Sequence, residues 1–307
     1  MPADWLFQAL RFGHYAVLLG LFGAMAWRTP ALRHLVANDD QWYRPLVVAA
    51  AIAAPLLSLG VMLAGIAAMM GQTLTDLGSE TVWAMLSTTP TGWAFGVRMA
   101  LLLVGLVVVI RAWSSPAGTI ATAACYALAL LTLGWSGHAA ASEGLVGLAH
   151  RTNNGVHLVA AGLWFGAIGG FVASTIGAHR RRDHATARRL LVAMHDFRGL
   201  GIAIVAIMAV TGALNAQLVF GIENSVAVLA GSYGWLLAGK IALVLLMLAC
   251  ARHHAATARN RMANGDAAAP DDAALLPRVR ASLIMELALA IAILGITAVL
   301  GLGSPLN

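Results

Sequence analysis

Eight long apolar runs dominate the sequence, at 6–27, 46–70, 92–113, 119–135, 155–178, 200–220, 233–251 and 283–302. A helix needs roughly 20 mainly apolar residues to cross about 30 Å of hydrocarbon. Lipid offers no hydrogen-bond partner to an open backbone group, so a spanning segment must be a helix or a strand of a closed barrel. Barrel strands alternate between apolar and polar residues, whereas these runs are continuous. The expected fold is therefore an all-α membrane protein, a bundle of about eight transmembrane helices. Composition agrees, because only 10% of the 307 residues are charged, against roughly 25% in a soluble domain. Tryptophans stand near many run ends (Trp5, Trp27, Trp42, Trp93, Trp113, Trp135 and Trp235), as in an interfacial aromatic belt.

The net charge of +6 is distributed unevenly. The first connection carries Arg28, Arg33 and Arg44, and the third Arg111. The fifth carries Arg180, Arg181, Arg182, Arg188, Arg189 and Arg198, and the seventh Arg252, Arg259, Arg261, Arg278 and Arg280. The second and sixth have none, and the fourth has Arg151 alone. Basic residues in alternate connections set membrane orientation and make nucleic acid an unnecessary explanation. The odd connections are expected in the cytoplasm, with both termini outside. No basic segment precedes the first run, so it is expected to be retained rather than cleaved as a signal. Cys125 and Cys250 lie within or at the end of apolar runs and suggest no disulfide framework.

Smaller features refine this picture. The stretch 264–272 (NGDAAAPDD) reads as a flexible cytoplasmic linker. The fifth connection reads as a basic helical extension against anionic headgroups. Gly162, Gly166 and Gly170 recur every four residues, which admits a neighbouring helix at close range and places this run inside the bundle. Arg11, Arg98 and Lys240 sit toward the outer ends of their runs, where snorkelling to the interface is expected. Glu286 lies toward the inner end of the last run. With no soluble segment of any size, the chain reads as one transmembrane domain, with a five-helix part (1–178) and a three-helix part (179–307).

Orientation sorts the histidines. His34, His179, His184, His195, His253 and His254 fall on the cytoplasmic side, mostly in basic segments, and read as solvated. His14, His138, His150 and His157 fall on or near the outer side. His14 lies two turns into the first run, His150 in the fourth connection, and His157 at the opening of the fifth run. Methionines gather on the same side: Met69 and Met70 end the second run, Met62 lies seven residues before Met69, and Met85 is in the second connection. Imidazole suits several transition metals and thioether sulfur favours Cu(I). Outer His and Met with almost no Cys describe a copper site better than a zinc site. The candidate metal ligands are His14, His138, His157, His150, Met70 and Met69, and Asn215, Lys240 and Glu286 are candidates for a path inward. Catalysis is not expected.

These residues also carry a resemblance. The stretches RFGHYAVLLGLFGAMAW around His14, SGHAAAS around His138 and HLVAAGLWFGAIGGF from His157 resemble the copper resistance protein D family of bacterial inner-membrane proteins. The likeness continues through RGLGIAIVAIMAVTGALN (198–215), YGWLLAGKIALV (233–244), Asn260–Arg261, Leu276–Pro277 and RASLIMELALA around Glu286. It covers almost the whole chain, in order, the last three runs matching the family's conserved C-terminal half. The resemblance implies copper as cargo, taken up across the inner membrane from the periplasm, and supports His14, His138 and His157. It also implies a separate periplasmic copper-binding partner resembling copper resistance protein C, since that domain is not fused here. Two other readings stay open: a haem-binding electron carrier, since histidines on neighbouring helices can ligate haem, and a membrane protein that stores or hands over copper without transporting it.

Overall fold

The computed structural model describes residues 4–35, 43–137, 142–181, 184–263 and 272–305. His138 and the expected linker, apart from Asp272, lie outside the described residues. Among the described residues ten α-helices follow one another: α1 (Asp4–Ala26), α2 (Arg44–Met70), α3 (Ser79–Thr88), α4 (Pro90–Arg111), α5 (Pro116–Leu131), α6 (Gly144–Arg181), α7 (His184–Phe220), α8 (Ser225–Leu229), α9 (Ser232–Ala263) and α10 (Asp272–Leu300). No strand occurs among the described residues. Eight of the helices are long and apolar enough to span, in agreement with the eight apolar runs.

Local chemistry fixes several helix starts. Pro90 and Pro116 stand in the first turns of α4 and α5, where a missing N–H costs nothing. Thr89 Oγ1 accepts from Gly92 N at 3.0 Å and Ser115 Oγ from Gly118 N at 3.3 Å, capping those ends. At its other end, α2 stops at Gly71, whose φ of 64° is left-handed.

Two expectations change. The fourth connection is much shorter than the apolar pattern suggests, because α6 begins at Gly144 and runs for 38 residues. His150 therefore lies on a helix rather than in a loop, and His157 lies well inside α6 rather than at its opening. The polar stretch RTNNGVH hides this extension, since Asn153 and His157 within it are turned toward α7. Met85, placed by the sequence in a connection, lies on the short helix α3.

Helix α1 is the axis of the first half. Leu18, Leu19, Leu21, Phe22 and Met25 are buried among residues of α2, α4 and α5. Residues of α6, α7, α9 and α10 form a second core with Trp27. The halves meet where α1 crosses α6. A Cβ on Gly23 would lie 2.6 Å from the Gly166 Cα and closer still to the Gly162 carbonyl. Only glycine permits that approach, and Trp27 Nε1 donates to Leu163 O at 2.9 Å beside it. The glycine repeat thus places α6 inside the bundle, with α1 as its partner.

Contacts also define the two ends of the bundle. At one end Arg28 donates to Trp113 O (2.9 Å) and Arg44 to Ile110 O (3.3 Å), joining the first and third connections. At the other, Thr91 donates to Trp135 O (2.8 Å), and Arg11 of α1 donates from Nε to Ala298 O of α10 (3.2 Å). The arginine-rich connections share the first end. The histidines of interest lie toward the second.

Candidate metal site

On a helix, residues three, four and seven apart share a face. His150, Asn153 and His157 therefore form one polar row on α6, and Thr211 and Asn215 form a matching pair on α7. The rows meet. Asn153 Nδ2 donates to Asn215 Oδ1 (2.8 Å) and to Thr211 O (2.9 Å), and His157 Nδ1 lies 2.9 Å from Thr211 Oγ1. The Thr211 hydroxyl donates to Ile207 O at 2.6 Å, so its single proton is committed. It must accept from His157, which places the imidazole proton on Nδ1 and leaves the Nε2 lone pair for a ligand. A metal-binding histidine needs this arrangement, and such outer partners commonly orient it.

Lys240, the third basic residue within a span, lies half-buried on α9. Toward the second end of the bundle, His150 is 2% exposed and its Nδ1 lies 3.2 Å from Ser142 Oγ. Arg151 beside it donates to Ser142 O (3.0 Å) and lies over the Trp135 ring, 5.7 Å from its centre. A shallow hollow of about 500 Å³, lined in part by Thr152, Asn153 and Thr211, opens at the α6–α7 seam. In the other direction along α6, Trp164 is buried, with no partner for its Nε1 among the described residues.

His14 stands apart from this seam. It is 2% exposed, and its Nε2 has no hydrogen-bond partner among the described residues. Arg98 is 4% exposed; its Nε donates to Ser58 Oγ (2.9 Å) and its Nη1 to Thr132 Oγ1 (3.3 Å), tying α4 to α2 and to the turn after α5. Arg98 and Arg11 do not snorkel as expected. Arg98 finds hydroxyl acceptors inside the bundle, and Arg11 finds the carbonyl-rich end of α10. Buried Glu286 also lies within the bundle, in the second core region.

The methionines separate. Met62 packs with Ile66 and Phe95 in an apolar cluster that also takes in Met85 and Met99. Met69 and Met70 are exposed on the last turn of α2, by 73% and 45%. Among the described residues no three His, Cys, Asp or Glu side chains gather into one metal-holding group. His14, buried, and His157, half-buried, are thus two separate imidazole positions, with His138 outside the described residues. Asn153, Ser142 and Thr211 were missed in the sequence. The signal was present as i, i+4 spacing, Asn153 before His157 and Thr211 before Asn215.

The fold and its buried polar residues define a multi-pass membrane protein with His14 and His150 buried in the helical bundle. The chain belongs to the copper resistance protein D family. It is 30% identical to copper resistance protein D of Pseudomonas syringae pv. tomato over 98% of this chain and 97% of that protein. Residues 1–148 match the family model of the copper resistance protein D-like N-terminal domain, and residues 191–300 that of copper resistance protein D. It is also 31% identical to inner membrane protein YebZ of Escherichia coli (strain K12), over 85% of this chain and 88% of that one. No solved structure matches the chain. Family membership implies copper handling.

Proposed function

We propose that the protein binds copper ions arriving from the periplasm and passes them toward the cytoplasm, acting as a carrier rather than an enzyme. The observation that carries this reading is the His157–Thr211 pair. It presents a neutral imidazole with its Nε2 lone pair available, inside a bundle where a bare polar atom is costly. The row His150, Asn153–Asn215 and His157–Thr211 supplies successive polar positions along one seam. His14 and, from the family motif, His138 complete the proposed ligand set, and the exposed thioethers of Met69 and Met70 suit capture of Cu(I) at the mouth.

Orientation follows the positive-inside rule. The end bearing Arg28, Arg44 and Arg111 faces the cytoplasm, so both termini and His14, His150 and His157 lie on the periplasmic side. A separate periplasmic copper-binding protein resembling copper resistance protein C is the proposed donor. The test is copper uptake into sealed vesicles containing the purified protein, alongside its copper content. Uptake that disappears in His157→Ala supports transport. Copper bound without uptake reduces the function to storage or hand-over, and a Soret absorption band in the purified protein replaces copper with haem.

A further inference from the structure

Three helices each bring one thioether to the same place. Met62 of α2 is 8% exposed and packs with Ile66 and Phe95, and Met85 of α3 and Met99 of α4 pack against that group. The other side chains of the cluster are hydrocarbon. The backbone around them is held. Thr89 Oγ1 donates to Met85 O at 2.6 Å, and a Cβ at Gly92 would strike the same carbonyl, so the end of α3 is pinned to the start of α4. Contacts also set the depth. Arg98, next to Met99, donates from Nε to Ser58 Oγ at 2.9 Å, and Ser58 lies about one turn before Met62 on α2. From α1, a Cβ at Gly13 would lie 3.5 Å from a Leu57 methyl. His14 and Met99 are therefore level with the Leu57–Ser58 turn. Met62 stands about one turn nearer the second end of the bundle, and the exposed Met69 and Met70 about two turns beyond it.

Thioether sulfur is soft and uncharged, and it selects Cu(I). Three rotatable bonds let each methionine turn its sulfur without moving its helix. Charge narrows the choice further. The Arg98 guanidinium lies 5.8 Å from the centre of the Phe95 ring, and its repulsion of a nearby ion doubles when that ion is divalent. We propose that Met62, Met85 and Met99 form a three-thioether site that takes monovalent Cu(I) and rejects divalent ions. It lies between the exposed methionines of the mouth and the depth of His14. The site fixes the oxidation state in which the cargo travels, and in naming copper it rests on the function proposed above. Packing asks only for apolar volume at these three positions, which leucine supplies. Only a metal site asks for sulfur.

The probe is Ag(I), a soft monovalent ion that undergoes no redox change here. It is titrated into the full-length protein in detergent, with isotope-labelled methionine methyl groups read by NMR and assigned by single Met→Leu replacements. The Met62, Met85 and Met99 methyls are expected to shift together and saturably with Ag(I), and to stay in place with Zn(II). Fixed methyls in a wild type that binds Ag(I), or equal shifts with Zn(II), overturn the site without any variant having to fold. In the second arm, Met69→Leu and Met70→Leu provide a background free of the exposed sulfurs. Adding Met62→Leu, Met85→Leu and Met99→Leu is expected to lower Ag(I) affinity by at least about ten-fold, since losing ligands costs more than losing an orienting partner. Equal affinity in that variant, folded, overturns the site. Copper content and uptake of the same preparations distinguish the two readings. Copper uptake with fixed methyls keeps the proposed function and rejects the thioether site. Saturable Ag(I) shifts in a protein that neither binds nor takes up copper reject the proposed function and overturn the assignment of Cu(I) to the three sulfurs.

Discussion

His157 Nδ1 and Thr211 Oγ1 lie 2.9 Å apart across the α6–α7 seam, and the direction of their hydrogen bond is set by a third atom. Because Thr211 gives its proton to Ile207 O, His157 is the donor. The tautomer of one imidazole on α6 is thus written into the backbone of α7. Thr211→Val keeps the shape and removes the acceptor. It is expected to weaken Cu(I) binding by on the order of ten-fold, the usual cost of losing such an orienting partner. His157→Ala is expected to cost more. Chelator competition on both variants checks this, and equal affinity in wild type and Thr211→Val removes the tautomer argument.

The Gly23–Gly166 crossing leaves no room for a side chain. Gly166→Leu forces the helices apart, an overpacking that costs at least about 1–3 kcal/mol. The expected outcome is a lowered melting midpoint in detergent or loss of the monodisperse species. Gly169→Leu is the control, because a Cβ at Gly169 meets nothing within 4 Å.

Ser58 is 0% exposed and holds Arg98 Nε at 2.9 Å. Ser58→Ala strands a buried charged donor and is expected to destabilise by about 1–3 kcal/mol. Adding Arg98→Met removes the stranded charge, so the double variant should melt above Ser58→Ala alone. Thermal unfolding of the single and double variants reads the coupling; strictly additive losses reject it.

Met69 and Met70 lie exposed at the end of α2. Changing both to Leu preserves apolar character and removes sulfur. The expected result is slower copper loading from a donor protein with unchanged copper content at saturation. Stopped-flow transfer and metal analysis test the two parts separately, and a lower copper content makes these residues part of the storage site.

The membrane architecture was legible because lipid imposes a length and a continuity that no other environment requires. All eight spans and the glycine-bearing interior helix follow from that. Helix ends were less legible where polar residues continue a helix beyond its apolar run, as at Gly144–Asn154, since hydropathy cannot distinguish a polar helix face turned inward from a loop. The burial of Arg98 was invisible for a related reason. Its partners, Ser58 and Thr132, are remote in sequence, and nothing in the local pattern separates a buried guanidinium from one that reaches the headgroups. His14 and His157 were identified as individual residues. Their separate surroundings depend on which helices α1 and α6 meet, information that only the packed bundle contains.

Helix α6, about 57 Å long at 1.5 Å per residue, is pinned to α1 by backbone contact at Gly162 and Gly166. A helix held this way behaves as a fixed ruler. His150 and His157 are two marks on it, about 10.5 Å apart along its axis, and no bending of a loop changes their separation. On the proposed transport function, an ion passing between them would travel through rotations of side chains and of the α7 partners facing them. The selectivity of the protein is therefore expected to be tuned more readily by substitutions on α7 than by any that move α6.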